Sequence, residues 1–497
     1  MQGSRIRLLV GGVLLIASSG SVQAETLHPD PAWQQGKLNN NFSWQILSTP
    51  QRPSDRIEVR LMVNTGSLME NVQQSGYSHL LPRLALVHNA KLDTARQRSL
   101  WQQSIDPDRP QPPIVTSYDF TLYNLSLPNN RPELVKEALS WLAATVGEMN
   151  INQQTVNTAL NMDDPIASWP ANPQDVWWRY RLKGSALLDH DPLKLASAPV
   201  DSEKLNASYK QWYTPDAMTL FVVGNVDSRN LAEQISKAFS PLQGKRTTPT
   251  PIPTLSPLAV HPVSLVNGNL NQDRLSLVWD SAWHPIVDSQ NLQRYWQGDL
   301  AREALFWHVQ RVLSANKAQK VQVGFDCRVL YQRAQCAINL DADNATLASN
   351  LNLVAHEMAN IRDNGLPQEE FDALMAQKTA ELRKLFATYA RTDTNVLMSQ
   401  RLRSQQNAVV DIAPEQYQKL RQSFLSGLTL QMMNQELRQQ LSQDITMVLM
   451  QPQGEAETDM QKLQQNWLKI MQPTAPAPVN MLDETRPEVS DIPAPQN

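Results

Sequence analysis

The chain has 497 residues, more than one ordinary hydrophobic core accommodates, so two or more domains are expected. A formal charge of −4 leaves no basic surplus for non-specific binding of nucleic acid or anionic lipid, although it names no partner. Thirty-three prolines against seventeen glycines point to stiff loops and rigid linkers more than to flexible glycine-rich tethers.

Residues 1–24 read as an export signal. Arg5 and Arg7 form a basic n-region, Leu8 to Ala17 an apolar h-region, and Val22-Gln23-Ala24 a small-residue cleavage site, with the cut between Ala24 and Glu25. The apolar run is shorter than the ~20 residues that span a bilayer, so no membrane anchor is expected. Removal of Arg5 and Arg7, with no acidic residue lost, takes the formal charge from −4 to −6. Further along, Ile57-Glu-Val-Arg-Leu-Met-Val63 alternates as a half-buried strand, and Leu220-Phe-Val-Val-Gly224 is a short apolar run that suits a buried one. A proline-rich run over 241–263 has no hydrophobic period. Its linker, 246–263, divides an N-terminal domain (25–245) from a C-terminal domain of similar size (264–471).

Only two cysteines occur, Cys327 and Cys336. Val321, Val323, Phe325, Cys327 and Val329 alternate with mostly polar residues, as do Ala334, Cys336, Ile338 and Leu340. A tight hairpin centred on Tyr331-Gln332 puts the two cysteines opposite each other on one face. The pair is then a disulfide in an oxidising compartment or two buried free thiols, and the spacing is a poor metal signature. Leu366-Pro367 opens a long helix on which Phe371, Leu374, Met375, Leu382, Leu385, Phe386 and Tyr389 fall mainly on one face, a core stripe. Residues 472–497, with repeated Pro and Ala and scattered acids, read as a disordered tail. Hairpins alternating with long helices give an α+β class: two domains, each a sheet covered by helices.

Four stretches together resemble the pitrilysin/insulinase family of zinc peptidases, the inverzincins, which also includes the mitochondrial processing peptidase subunits. Leu38-Asn-Asn-Asn-Phe42 resembles the family's Leu-x-Asn-Gly-Leu opening, with Asn41 at the Gly position; Asn tolerates the left-handed turn that Gly would supply. Gly66-Ser-Leu-Met-Glu70 and Gly76-Tyr-Ser-His79 resemble the turn and entry of the motif helix. Tyr213-Thr-Pro-Asp-Ala-Met218 with Val222-Val-Gly-Asn-Val226 resembles the Tyr-x-Pro-x-Asn-Met stretch and its following strand. Gly365-Leu-Pro-Gln-Glu-Glu-Phe371 is similar to the helix start of a second such domain.

The motif itself is His-x-x-Glu-His in active members. Here His79-Leu-Leu-Pro-Arg83 keeps the first His, but Pro82 stands at the catalytic Glu and Arg83 at the second His. Zinc in active relatives needs two His and a later Glu, with the motif Glu as general base on the bound water. Arg83 has no lone pair to donate and Pro82 has no ionisable group. Pro82 also lacks an N–H, which predicts a helix that starts late or kinks. The third ligand should fall near Leu160, where no Glu occurs; Asp163 and Asp164 read as solvated loop residues before Pro165. His79 then reads as a core or helix-surface histidine, and no zinc or other cofactor is expected. His88 lies about 180° around a helix from His79, and His190-Asp-Pro192 resembles a structural loop of the family.

The family's carbonyl-binding Arg and Tyr leave Arg311 as a substrate-binding candidate, with no Tyr at the matching place; Tyr331 reads more simply as a turn residue. There is no Gly-x-Ser-x-Gly elbow and no glycine-rich phosphate loop. The resemblance therefore implies a non-catalytic relative, exported to the periplasm of a Gram-negative bacterium, that binds a peptide, an unfolded segment or a protein subunit. The alternatives are an active zinc endopeptidase with rearranged ligands and a structural subunit of a hetero-oligomer.

Overall fold

A computed structural model describes residues 24–87, 92–316 and 320–473. The export signal up to residue 23, His88, and the tail from 474 lie outside the described residues.

The N-terminal sheet has seven strands, β1 (Trp33–Lys37), β2 (Ser43–Ser48), β3 (Ile57–Val63), β4 (Ile114–Thr116), β5 (Thr121–Leu127), β6 (Ile166–Ser168) and β7 (Met218–Gly224). Their order is β1-β2-β7-β3-β5-β4-β6; β2 with β7 and β4 with β6 are parallel, the rest antiparallel. The turn from β1 to β2 places Asn41 at φ 67°, the left-handed conformation that Asn adopts more readily than most residues. One face of the sheet packs Val59, Leu61 and Leu125 under helices that bring in Leu80, Trp141 and Phe239.

Strand β3 has the bounds expected from its alternation, but it is not half-exposed: Glu58 and Arg60 are both buried. Arg60 Nη2 donates to Glu58 Oε2 at 2.8 Å, and Ser126 Oγ donates to Glu58 Oε1 at 2.7 Å. The pair satisfies its own charges, which lets polar residues occupy a covered face.

The C-terminal sheet contains β8 (Val263–Val266), β9 (Asp273–Ala282), β10 (Val321–Leu330), β11 (Arg333–Ala342) and β12 (Thr446–Gln451), in the order β10-β11-β9-β12-β8. Helices Ser289–Ala315, Asn344–Asn364 and Met460–Met471 cover one face with Leu300, Leu351 and Trp467. Strands β10 and β11 form the hairpin, with Tyr331 and Gln332 at φ 45° and 66° in a primed turn whose twist matches the strands. Cys327 is registered with Cys336 and joined to it by a disulfide. The helix after Leu366-Pro367 breaks at Lys384 into Gln368–Arg383 and Leu385–Ala390; Phe371 and Leu374 are buried, but Phe386 is exposed, so the core stripe stops short.

The two halves exchange elements. Leu27, assigned by sequence to the N-terminal domain, is buried in the C-terminal core, and Leu27 N donates to Val287 O at 3.1 Å. The helix Thr394–Gln406 leaves the C-terminal half to lay Leu397, Met398 and Leu402 on the open face of the N-terminal sheet, against Leu122, Phe221 and Val223. In return the short helix Val176–Arg181 sets Trp177 and Tyr180 against Val278, Ala337 and Val448 of the C-terminal sheet. The linker is docked as well: Leu255 packs with Tyr118 and Trp178, Arg181 Nη1 donates to Ser256 O at 2.6 Å, and Val263 already belongs to β8.

Candidate functional site

The motif helix, Tyr77–Val87, is held at its entry by a carboxylate. Glu70 accepts from Gly76 N at 2.9 Å and from Ser78 N at 2.7 Å, satisfying donors that a helix start leaves free. Burial raises the Glu70 pKa, against the lowering effect of those hydrogen bonds. Gly76 has φ 89°, and a Cβ there would lie 2.3 Å from Ala196 N, so only glycine fits this entry. Contrary to the expectation of a late start, the helix begins at Tyr77 and runs through Pro82. The buried environment tolerates the lost N–H at Pro82, which costs ~3 kcal/mol or more in an isolated helix interior.

Arg83 is buried and points at the end of the next helix of the site, Gln153–Asn161. Its Nε donates to Ala159 O at 2.7 Å and its Nη2 to Met162 O at 2.5 Å. These are among the carbonyls that a helix C-terminus leaves without internal partners, and the negative end of the helix dipole favours a cation there. Arg83 Nη1 also lies 3.1 Å from Asp164 Oδ2, and His79 Nε2 lies 2.6 Å from the same oxygen. Asp164 Oδ1 accepts from Ile166 N at 3.0 Å. Asp164 is an exposed loop residue, as its sequence context suggests, but its carboxylate also bonds both His79, the surviving motif residue, and Arg83, which replaces the second His. Sequence spacing alone could not reveal this, because the carboxylate reaches the site only after the Gln153–Asn161 helix docks.

His79 is fully buried, and burial, with Arg83 adding to it, lowers its pKa despite the raising effect of Asp164. The neutral ring then donates Nε2–H to Asp164 and turns a bare Nδ1 lone pair inward, where no partner is found. This donor set does not fit a zinc ion. It offers a single imidazole lone pair, and a permanent cation fills the place of the second ligand. Among the described residues no group of three or more His, Cys, Asp or Glu side chains is arranged to hold a metal.

The remaining candidates are dispersed. Arg311 is 62% exposed and pairs with Glu370, which also meets His308 Nδ1 at 3.0 Å; Arg311 and Glu370 line a cleft of about 290 Å³ on the C-terminal helices that contains no motif residue. Ala24 begins the described residues, and Glu25 N donates to Ser289 Oγ at 3.0 Å. His190 and Ser67 are tied reciprocally, Ser67 Oγ to His190 O at 2.6 Å and His190 Nδ1 to Ser67 O at 2.8 Å. Tyr331 does form the turn, but its side chain enters the N-terminal domain and bonds Ser117 Oγ at 3.1 Å. Beside it, burial pushes the Asp119 carboxyl up to about 6, and one of its oxygens has no partner.

A groove of about 480 Å³ lies between the domains. Its floor is the open face of the C-terminal sheet, with Arg274, Arg333, Asn339 and Met450, and its wall carries Trp177 and Trp178. Sequence reading missed it because the wall and the floor are about a hundred residues or more apart. No described helix is long and apolar enough to cross a membrane.

Residues 45–184 match the model of the insulinase family, peptidase family M16, and residues 199–378 match that of the peptidase M16 inactive domain. Protein YhjJ of Escherichia coli strain K12 is 60% identical over the full length of both chains. A solved structure described as a predicted insulinase family protease from Yersinia pestis has a TM-score of 0.89 and 64% identity, covering 93% of this chain and 100% of that one. The periplasmic protease PqqL from Escherichia coli shares the fold at a TM-score of 0.76 and 18% identity, over 94% of this chain but 53% of its own. The chain is a member of the insulinase (M16) peptidase family, built from two M16-like domains.

Proposed function

We propose that this chain is an exported, non-catalytic member of the M16 family that acts in the periplasm by binding an extended peptide or an unfolded protein segment. The observation that carries the reading is the place of Arg83. Its guanidinium is bonded to Ala159 O, Met162 O and Asp164, so the position that a zinc ligand holds in active relatives supplies a built-in cation instead. Peptide hydrolysis through zinc needs an open coordination position and a base beside it, and Pro82 offers no base. The groove on the C-terminal sheet supports the binding half of the reading, since its indole wall and amide- and guanidinium-bearing floor suit both the side chains and the backbone of a peptide. The periplasmic relative PqqL and the basic-then-apolar start of the chain support the location.

Fluorescein-labelled casein tests both halves in one experiment with purified mature protein. The expected result is saturable binding without cleavage, unchanged by EDTA or by added zinc. Chelator-sensitive cleavage, or stoichiometric zinc uptake abolished by His79→Ala, would overturn the reading in favour of an active enzyme with rearranged ligands. A second reading, a structural subunit of a hetero-oligomer, is favoured by the match of residues 199–378 to the family's inactive domain. Affinity purification of the tagged chain from the periplasm separates the two: one stoichiometric protein partner supports the subunit, mixed peptides or none the peptide binder.

A further inference from the structure

We propose that the Cys327–Cys336 disulfide is a redox-controlled lock on the clamp between the two domains. Reduction by a dithiol releases Tyr331 from the N-terminal domain and widens the groove. The inference holds whether or not the groove binds peptide.

The clamp arm is the tip of the β10–β11 hairpin. Tyr331 stands edge-on to the rings of Tyr118 and Trp169, each at 5.8 Å, and its hydroxyl meets Ser117 Oγ at 3.1 Å. Burial and the neighbouring Asp119 push the Tyr331 hydroxyl pKa well up, so it stays protonated and able to donate. At the base of the tip, Asp280 accepts from Arg333 Nη2 of the hairpin at 2.6 Å and from Arg181 Nη2 of the N-terminal domain at 3.2 Å. Two aromatic rings, one hydroxyl and one carboxylate thus depend on where the hairpin tip sits.

The lock is needed because β10 is an edge strand, paired only with β11. Between the disulfide and the turn lie Arg328, Val329 and Leu330, none of them buried. Leu330 packs with Tyr331 against the apolar cluster of Tyr118 and Trp178, whereas Arg328 and Val329 belong to no buried apolar cluster, so the root of the tip depends on the strand ladder and the cross-link. The cross-link between registered residues removes that freedom at the root of the clamp. The same stretch is one wall of the groove: Asp326, Arg328 and Leu330 face Trp177 and Trp178 across it. Opening the hairpin end and opening the groove are one motion.

The two sulfurs differ in access, for Cys327 is exposed and Cys336 buried. A dithiol's thiolate attacks Cys327 Sγ, the S–S bond breaks, and its electron pair leaves on Cys336 Sγ, which takes a proton. The second thiol of the dithiol then attacks the mixed disulfide and frees the Cys327 thiolate. The dithiol leaves oxidised by two electrons as its own disulfide, and the chain gains two thiols.

Hydrogen exchange followed by mass spectrometry on the full mature chain, with and without dithiothreitol, tests this. Reduction is expected to speed exchange at least tenfold in peptides covering 113–119, 169–182 and 325–336, with the Thr394–Gln406 and Gln153–Asn161 helices unchanged. The double variant Cys327→Ser/Cys336→Ser should match the reduced chain and ignore the dithiol. Tyr331→Ala should give the same fast peptides around 113–119 and 169–182 while its disulfide remains intact. Identical exchange in oxidised and reduced chains would overturn the lock. So would loss of protection across the whole C-terminal domain, since the disulfide would then be a staple of that fold.

Discussion

On the N-terminal sheet the face turned away from the helices is sealed by Thr394–Gln406, whereas on the C-terminal sheet the equivalent face keeps a groove of about 480 Å³. The sealing helix brings Leu397, Met398 and Leu402 onto Leu122, Phe221 and Val223. The six-residue helix Val176–Arg181 that answers it on the other sheet is too short to cover the floor, and it leaves Arg274 and Asn339 facing open space. Two domains of one layered design have thus divided their labour. The N-terminal face holds the halves together by apolar burial, and the C-terminal face keeps polar groups available for a ligand or for the clamp.

The contrast can be broken most severely at Arg83, in the sealed domain. Arg83→Ala leaves two helix-end carbonyls without their donor and takes one of three partners from the exposed Asp164, so a loss of about 1–3 kcal/mol per stranded carbonyl is expected in urea unfolding. Arg83→Met, which keeps the bulk, should lose less. A cost under ~1 kcal/mol for the alanine variant would mean that the guanidinium is not the organiser of the site.

Met398→Ala should come next, at about 2–5 kcal/mol, because a fully buried side chain is removed from the seal between the halves. Its unfolding is expected to lose cooperativity between the two domains, read as separate tryptophan-fluorescence and circular-dichroism transitions.

Asp119 probes the boundary between the two faces, and its sign is opposite to that of an ordinary salt-bridged acid. Its folded pKa of about 6 exceeds the ordinary aspartate value of 3.8, so between these two pH values the native state holds a proton that the unfolded state has lost. Stability is therefore fully present below about pH 4 and falls as pH rises to about 6, by about 1–3 kcal/mol. Asp119→Asn should remove that decline and leave the protein more stable at pH 7 but not at pH 4. His79 acts in the reverse sense: its lowered pKa costs stability as pH falls below its ordinary 6.5. The variant must accordingly be compared with the wild type at each pH.

The smallest effect is expected on the open side. Arg274 is 40% exposed and pairs with Asp341, so Arg274→Ala should change stability by less than ~1 kcal/mol while weakening casein binding. Unchanged binding would move the ligand site away from this floor.

Much of the local structure was legible in the chain itself. Alternation marked β3 residue for residue, a left-handed Asn41 was expected from its motif position, and the turn at Tyr331-Gln332 with the facing cysteines followed from two alternating runs. Such features depend on neighbours in sequence, and period-two patterning reports them directly. The substitutions at Pro82 and Arg83 were equally plain, because a lost side-chain chemistry needs no coordinates.

What only the tertiary structure decided is where those residues meet distant ones. Glu58 and Arg60 look like the solvent face of a strand until a helix more than three hundred residues later covers them. Asp164 looks like a loop acid until the Gln153–Asn161 helix carries it to His79 and Arg83. Tyr331 looks like a turn residue until the hairpin reaches the other domain. In each case burial comes from an element remote in sequence, and a single chain records its own periodicity but not the identity of what will cover it.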